Sequence, residues 1–221
     1  MLFKLTLLPR SCEPFGCCKF RKAELSMVNQ MKAAKMGQIT QEMKIVAKEE
    51  DESPEKICRR VAAGKVVITR NMERENVVPL GIGEGLRTKI NANVGTSADL
   101  CDLNLEVEKA KIAVKYGADT VMDLSTSGDL DEIREAMLKA VNVPIGTVPI
   151  YQTAIEIVKD KEAIIQMDED DIFNTIEKHA KDGVDFMTVH CGVTEQIVKR
   201  IAKHPRLMGI VSRGGTFLAA W

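Results

Sequence analysis

Between residues 88 and 94 the chain alternates, with Lys89, Asn91 and Asn93 interleaved with Ile90, Ala92 and Val94. In an extended strand a period of two sends the three polar side chains to one face and the three apolar ones to the other. A strand within a sheet that carries amides on one face is costly unless those amides meet a partner or a ligand. The pattern predicts the floor of a binding site.

From residue 85 onward the pattern predicts strand and helix in alternation. The strands are TKINANV (88–94), DTVMDLS (119–125), PIGTVPI (144–150), DFMTVH (185–190) and LMGIVS (207–212). Helical periods fall at 104–116, 129–141, 153–163, 169–181 and 194–203, with Asp129 and Thr194 at two starts and Gly117 and Gly183 after two ends. Such alternation requires parallel strands joined by helical crossovers, either in an open doubly wound sheet or in a (β/α)8 barrel. Thr147, Pro149 and Tyr151 are expected on one strand face, and Phe186, Thr188 and His190 on another, so that a polar ring ends each strand where barrel enzymes build their sites. The expectation is an α/β fold, a (β/α)8 TIM barrel with about five βα units in 85–221 and its C-terminal part missing.

The segment before it is charged and helical. Thr40 caps QEMKIVAKEE, Ser53 and Pro54 open EKICRRVAAG, Gly64 ends it, and KVVITRN is a short strand, which makes 27–84 a small N-terminal α+β module. Residues 1–26 differ in character. LFKLTLL is too short and too interrupted by Lys4 for a secretory signal, so these residues read as a disordered or non-native leader, with Met27, Met31 and Met36 as alternative starts.

Composition narrows the function classes. With 221 residues, 45% hydrophobic, the chain can bury a core. Its 31 basic and 32 acidic residues leave a net charge of -1, which gives no argument for a nucleic-acid partner. No apolar run reaches the roughly 18 residues of a membrane span. Cys12, Cys17 and Cys18 are spaced poorly for a metal, and Cys58, Cys101 and Cys191 are scattered, as expected in a reducing cytoplasm.

Four motifs could carry chemistry. GIGEG (81–85) fails the dinucleotide spacing and precedes a strand, so it reads as a loop. STSGD (125–129) is either an anion cradle at a helix start or a capping loop. In VHCGVT (189–194), His190 is either a structural histidine or a site residue, while Cys191 lacks a local acid-base partner; His179 and His204 are expected on solvated helix surfaces. In SRGG (212–215), Arg213 offers a bidentate donor and Gly214 and Gly215 allow close backbone approach, so the stretch binds a phosphate unless it is a plain tight turn.

GEGLRTKINANVGTS, ADTVMDLSTSGDLDEIRE, PIGTVPIYQT, TVHCGVT and VSRGGTFLAAW together resemble the phosphomethylpyrimidine synthase family of thiamine biosynthesis, from about Met36 to Trp221. The resemblance implies a (β/α)8 barrel that rearranges 5-aminoimidazole ribotide into hydroxymethylpyrimidine phosphate by S-adenosylmethionine radical chemistry, fed by a 4Fe-4S cluster and accompanied by a divalent metal, zinc. It implies substrate contacts at Asn93, Met122, Tyr151, His190, Ser212, Arg213 and Gly214, and a homodimer at full length. The family's CxxCxxxxC motif and its metal-binding histidines do not occur in this sequence, so the expectation is an N-terminal fragment, inactive alone and poorly stable at its open edge. Two other readings stay open: a phosphosugar or nucleotide lyase or isomerase using His190 as acid or base, and a non-catalytic ribotide-binding fragment.

Overall fold

The computed structural model describes residues 29–161 and 163–221. The leader 1–26, with Cys12, Cys17 and Cys18, and the start at Met27 lie outside the described residues.

Three short helices come first: α1 (Gln30–Lys35), α2 (Gln41–Glu49) and α3 (Pro54–Ala62). Each begins at a side-chain cap, with Asn29, Thr40 and Ser53 accepting from the backbone N–H three residues on. Met43, Val46, Ile57 and Val61 form their common core with Val66, Ile39 and Leu86 packed beside it. Strands β1 (Val66–Thr69) and β2 (Leu80–Gly83) pair antiparallel across this core. The first half of GIGEG is therefore a strand, not a loop. Gly83 holds a φ of 147°, and a Cβ there would sit 2.1 Å from the Lys65 carbonyl, so the second position demands glycine for a reason unrelated to nucleotides.

The second part carries a parallel sheet of four strands in the order β3 (Asn91–Val94), β4 (Thr120–Asp123), β5 (Ile145–Thr147), β6 (Phe186–Met187). Helices α4 (Leu103–Lys115), α5 (Leu130–Ala140), α6 (Pro149–Lys161) and α7 (Glu169–Asp182) are interleaved with them in chain order, and α8 (Glu195–Lys203) and α9 (Arg213–Ala220) follow β6. Ala110, Ile133, Met137 and Leu138 from α4 and α5 bury Val121 and Ile145 on one face of the sheet. Val148, Ile150, Ile157 and Met167 form a further cluster, with Met122, Leu124, Tyr151 and Phe217 packed against it.

Two expected strands change. The run 144–150 leaves the sheet after Thr147, because Pro149 opens α6; a proline suits the first helical position, where its missing N–H is not needed. Tyr151 consequently lies on the first turn of a helix. The run 207–212 forms no strand among the described residues. Gly209 turns the chain at a φ of 61°, and its N–H closes a turn onto the Arg206 carbonyl at 3.1 Å, which an extended strand cannot accommodate.

The loop between β1 and β2 clasps the two parts together. Arg74 reaches the carbonyls of Leu138 (3.1 Å), Val141 (2.8 Å) and Val143 (3.2 Å) and pairs with Asp185. Asn71 donates through its backbone N–H to Asp185 (2.8 Å) and through its amide to the carbonyls of Ala180 and Val184. Beside it, Lys89 pairs with Glu50 at 2.7 Å, so this lysine serves the contact between the parts, and the polar face of β3 is left to Asn91 and Asn93.

Candidate functional site

Ser212 is the N-cap of α9, and its Oγ accepts from the Gly215 N–H at 3.2 Å. SRGG is thus the first turn of a helix and not the plain tight turn that was its alternative reading. The Arg213 and Gly214 N–H groups have no hydrogen-bond acceptor among the described residues, as expected for a helix start, and such N–H groups together with the helix dipole favour an anion.

His190, three residues beyond β6, lies against this turn. Its Nε2 is 3.2 Å from Ser212 Oγ, and its Nδ1 is buried without a partner among the described residues. A Cβ on Gly214 would fall 2.3 Å from the imidazole, so the ring and the helix backbone are in direct contact. Arg213 stands with its guanidinium carbon 5.2 Å above the Tyr151 ring and donates to the Leu124 carbonyl at 3.5 Å. Tyr151 in turn packs edge-on against Phe217, with ring centroids 6.0 Å apart. One chain of contacts therefore joins Tyr151, Arg213, Ser212, Gly214 and His190.

The sheet contributes the remainder. Register places Asn93 beside Met122, Met122 beside Gly146, and Gly146 beside Phe186, so these positions share one face. The hydroxyl of Thr188 points at the Met122 sulfur, 3.9 Å away, which puts Thr188 on that face with Phe186, while the strand itself ends at Met187, before His190. Thr147 does not join it. Its hydroxyl meets His179 Nδ1 at 2.9 Å on the helix side of the sheet, because β5 presents Gly146, one residue earlier, to the site face.

STSGD resolves as a capping loop. Asp129 accepts from the N–H groups of Asp131 and Glu132, Ser125 N–H goes to Asp123 Oδ1, and the N–H groups of Thr126 and Ser127 go to Thr96. Those amides are spent within the protein and are not free to bind an anion.

His179 is a further departure from the expected picture. It is 3% exposed, with Nε2 2.7 Å from Gln152 Oε1 and 3.2 Å from Arg134 Nη1. Burial and then the Arg134 charge push its pKa down to about 3, so it is neutral at pH 7. Arg134, 2% exposed, also reaches Asp131 (2.5 Å) and Asp182 (2.6 Å). Burial alone would raise the Asp131 pKa, but Lys178, Gln152 and Arg134 outweigh it and hold it below the usual carboxylate range. The signal in the sequence was Thr147, a polar residue in an otherwise apolar strand, which needs a buried partner.

Among the described residues no three His, Cys, Asp or Glu side chains are placed to hold a metal ion; Cys58 is buried, and Cys101 and Cys191 are exposed free thiols. These residues do not fit an iron–sulfur cluster, which needs several cysteine thiolates together. Among the described residues no helix is long and apolar enough to cross a membrane. A cleft of about 390 Å³ between Gln30, Thr40, Glu42, Ile68, Arg70 and Met72 contains none of the site residues.

Residues 29–221 match the Radical SAM ThiC family. The chain belongs to that family. It is 58% identical over 194 residues to the phosphomethylpyrimidine synthase of Pyrococcus furiosus, covering 88% of this chain and 45% of the relative. It is 56% identical over 194 residues to that of Thermococcus gammatolerans, with 88% and 46% covered. To the protein of the same name from Methanopyrus kandleri it is 58% identical over 177 residues, with 80% and 41% covered. The chain thus spans under half the length of these curated relatives, and the family match takes in Tyr151, His190, Ser212, Arg213 and Gly214.

Proposed function

We propose that this chain carries the ribotide-binding half of a phosphomethylpyrimidine synthase, on the first strands of a (β/α)8 barrel. The whole enzyme would convert 5-aminoimidazole ribotide to 4-amino-5-hydroxymethyl-2-methylpyrimidine phosphate for thiamine, as a carbon–carbon lyase of the cytoplasm, acting as a homodimer. The relatives' shared name supports this reading, and the observation that carries it is the junction of Arg213, Tyr151, Ser212, Gly214 and His190 on one open face.

In this reading the start of α9 and Arg213 receive the phosphate. Backbone N–H groups at a helix N-terminus and a guanidinium give charge-assisted bonds that are shorter and stronger than neutral ones. Tyr151 holds Arg213 from below, since a guanidinium over an aromatic face is attracted by the ring. Met122 offers a polarisable contact to the heterocycle, and Asn93 and His190 offer hydrogen bonds to the ring or ribose. In the whole enzyme S-adenosylmethionine, a 4Fe-4S cluster and a divalent metal, zinc, would supply the radical chemistry, and the cluster would need thiolates other than those of the described residues. The two remaining readings, a phosphosugar or nucleotide lyase or isomerase and a non-catalytic ribotide-binding fragment, share the phosphate site and differ in the fate of the bound ligand.

Calorimetric titration of the chain with 5-aminoimidazole ribotide tests the assignment. Arg213→Ala is expected to weaken binding by about 1.5 to 3 kcal/mol, the range for a hydrogen bond to a charged group. Equal affinity in the variant refutes the phosphate site.

A further inference from the structure

The amides on the polar face of β3 are not independent. Thr120, paired in register with Asn91, is 2% exposed, and its hydroxyl donates to Asn91 Oδ1 at 2.8 Å. Asn91 Nδ2 donates onward to Asn93 Oδ1 at 2.9 Å. An amide can be turned end for end with little change of shape, so the direction of this relay has to be decided by its buried end. The Thr120 hydroxyl has Asn91 as its single hydrogen-bond partner among the described residues. Were both amides turned over, Asn91 Nδ2 would face Thr120 Oγ1, and a buried O–H would have no acceptor. That loss falls on a group out of reach of water, and reversing the bond between the exposed Asn91 and Asn93 amides gains nothing to offset it. Thr120 thus sets Asn91, and Asn91 sets Asn93.

The consequence is a polarity for the site. With Oδ1 of Asn93 occupied, its Nδ2 is left without a partner among the described residues, at the position beside Met122. We infer that Thr120 and Asn91 are positioning residues that make Asn93 a hydrogen-bond donor, so that the site selects a ligand presenting an acceptor lone pair there, such as the unsubstituted ring nitrogen of an imidazole. This inference rests on the ribotide reading for the identity of the ligand, but not for the direction of the relay.

Two measurements separate those questions. In the ligand-free chain, nitrogen-15 NMR of the side-chain amides should show an Asn91 Nδ2 proton protected from exchange and both Asn93 Nδ2 protons exchanging as solvent-facing groups. Protection at Asn93 instead of Asn91 would overturn the relay, whatever the site binds. In titrations, Thr120→Val and Asn91→Ala are each expected to weaken 5-aminoimidazole ribotide by about three- to tenfold, the loss of one oriented hydrogen bond. An analogue with C–H in place of the ring nitrogen should bind the wild type weaker by a similar factor and should lose nothing further in the variants. Thr120→Ser, which keeps the hydroxyl, should restore ribotide affinity. An equal loss for both ligands would reduce Thr120 and Asn91 to structural residues and sink the specificity claim. Arg213→Ala serves as the control: a variant that binds like the wild type brings down the ribotide reading, while the NMR result stands.

Discussion

Replacing Asp185 by alanine tests whether the β1–β2 loop holds the two parts of the structure together. The carboxylate is fully buried and takes three donors: Arg74, the Asn71 N–H at 2.8 Å and the Ile145 N–H at 2.8 Å. Arg74 itself is 5% exposed, so removing Asp185 leaves a guanidinium in the interior facing only neutral acceptors among the described residues, the carbonyls of Leu138, Val141 and Val143 and the amide oxygen of Asn76. Breaking a buried pair from one side costs about 3 to 5 kcal/mol, because the surviving charge is uncompensated. For a chain of this size each kcal/mol is worth about 2 to 4 °C, so the melting temperature should fall by about 10 °C. Urea titration followed by circular dichroism reads the free energy directly. Arg74→Leu should cost a comparable amount, and the double variant should cost clearly less than the sum, since both charges are then gone. A cost below about 1 kcal/mol for Asp185→Ala, or strict additivity in the double variant, would refute the clasp as a stabilising unit.

Two further perturbations probe the sheet's two faces. His179 has a folded pKa of about 3 against an ordinary 6.5, so unfolding takes up a proton between those values; stability is full above pH 6.5 and drains as the pH falls toward 3. The chain should be about 2 kcal/mol less stable at pH 5 than at pH 7, with Asp131 adding the same sign at lower pH and Asp123, raised by burial, opposing it. A flat profile in urea, or an unchanged slope in His179→Gln, would contradict this. On the other face, Gly214→Ala should displace the His190 ring, which lies 2.3 Å from the added carbon, and cost about 1 to 3 kcal/mol as overpacking does, together with a loss of ribotide affinity. Wild-type affinity in that variant would show that His190 has no part in binding.

Much of the secondary structure was legible because it depends on neighbours in sequence. Thr40, Ser53, Asp129 and Thr194 cap helices through their own side chains, and Gly183 ends one in the left-handed region, all within a few residues. The run of strand and helix from Asn91 to Lys203 follows from apolar periodicity in the same way. Where local signals competed, the reading failed. Pro149 could end a strand or begin a helix, and LMGIVS has strand composition but carries a glycine that turns.

Which residues would share a site was only partly written in the chain. Alternation put Asn91 and Asn93 on one face and Phe186, Thr188 and His190 on another, and the family motifs named the seven positions of the candidate site. The contacts between them belong to the tertiary structure alone: Arg213 over Tyr151, Ser212 on His190, and Met122 between Asn93 and Gly146. Three polar features also had no local sign of their fate. His179 is buried against Thr147 from 32 positions away in sequence, Arg74 reaches Asp185 across 111, and the Thr126 and Ser127 N–H groups of STSGD are taken by Thr96, from the loop that follows β3. Periodicity reports only which way a side chain points, whereas a partner is chosen by strand order and register. Desolvation then makes that choice binding, because a buried donor or charge without its partner costs more than the contact gains.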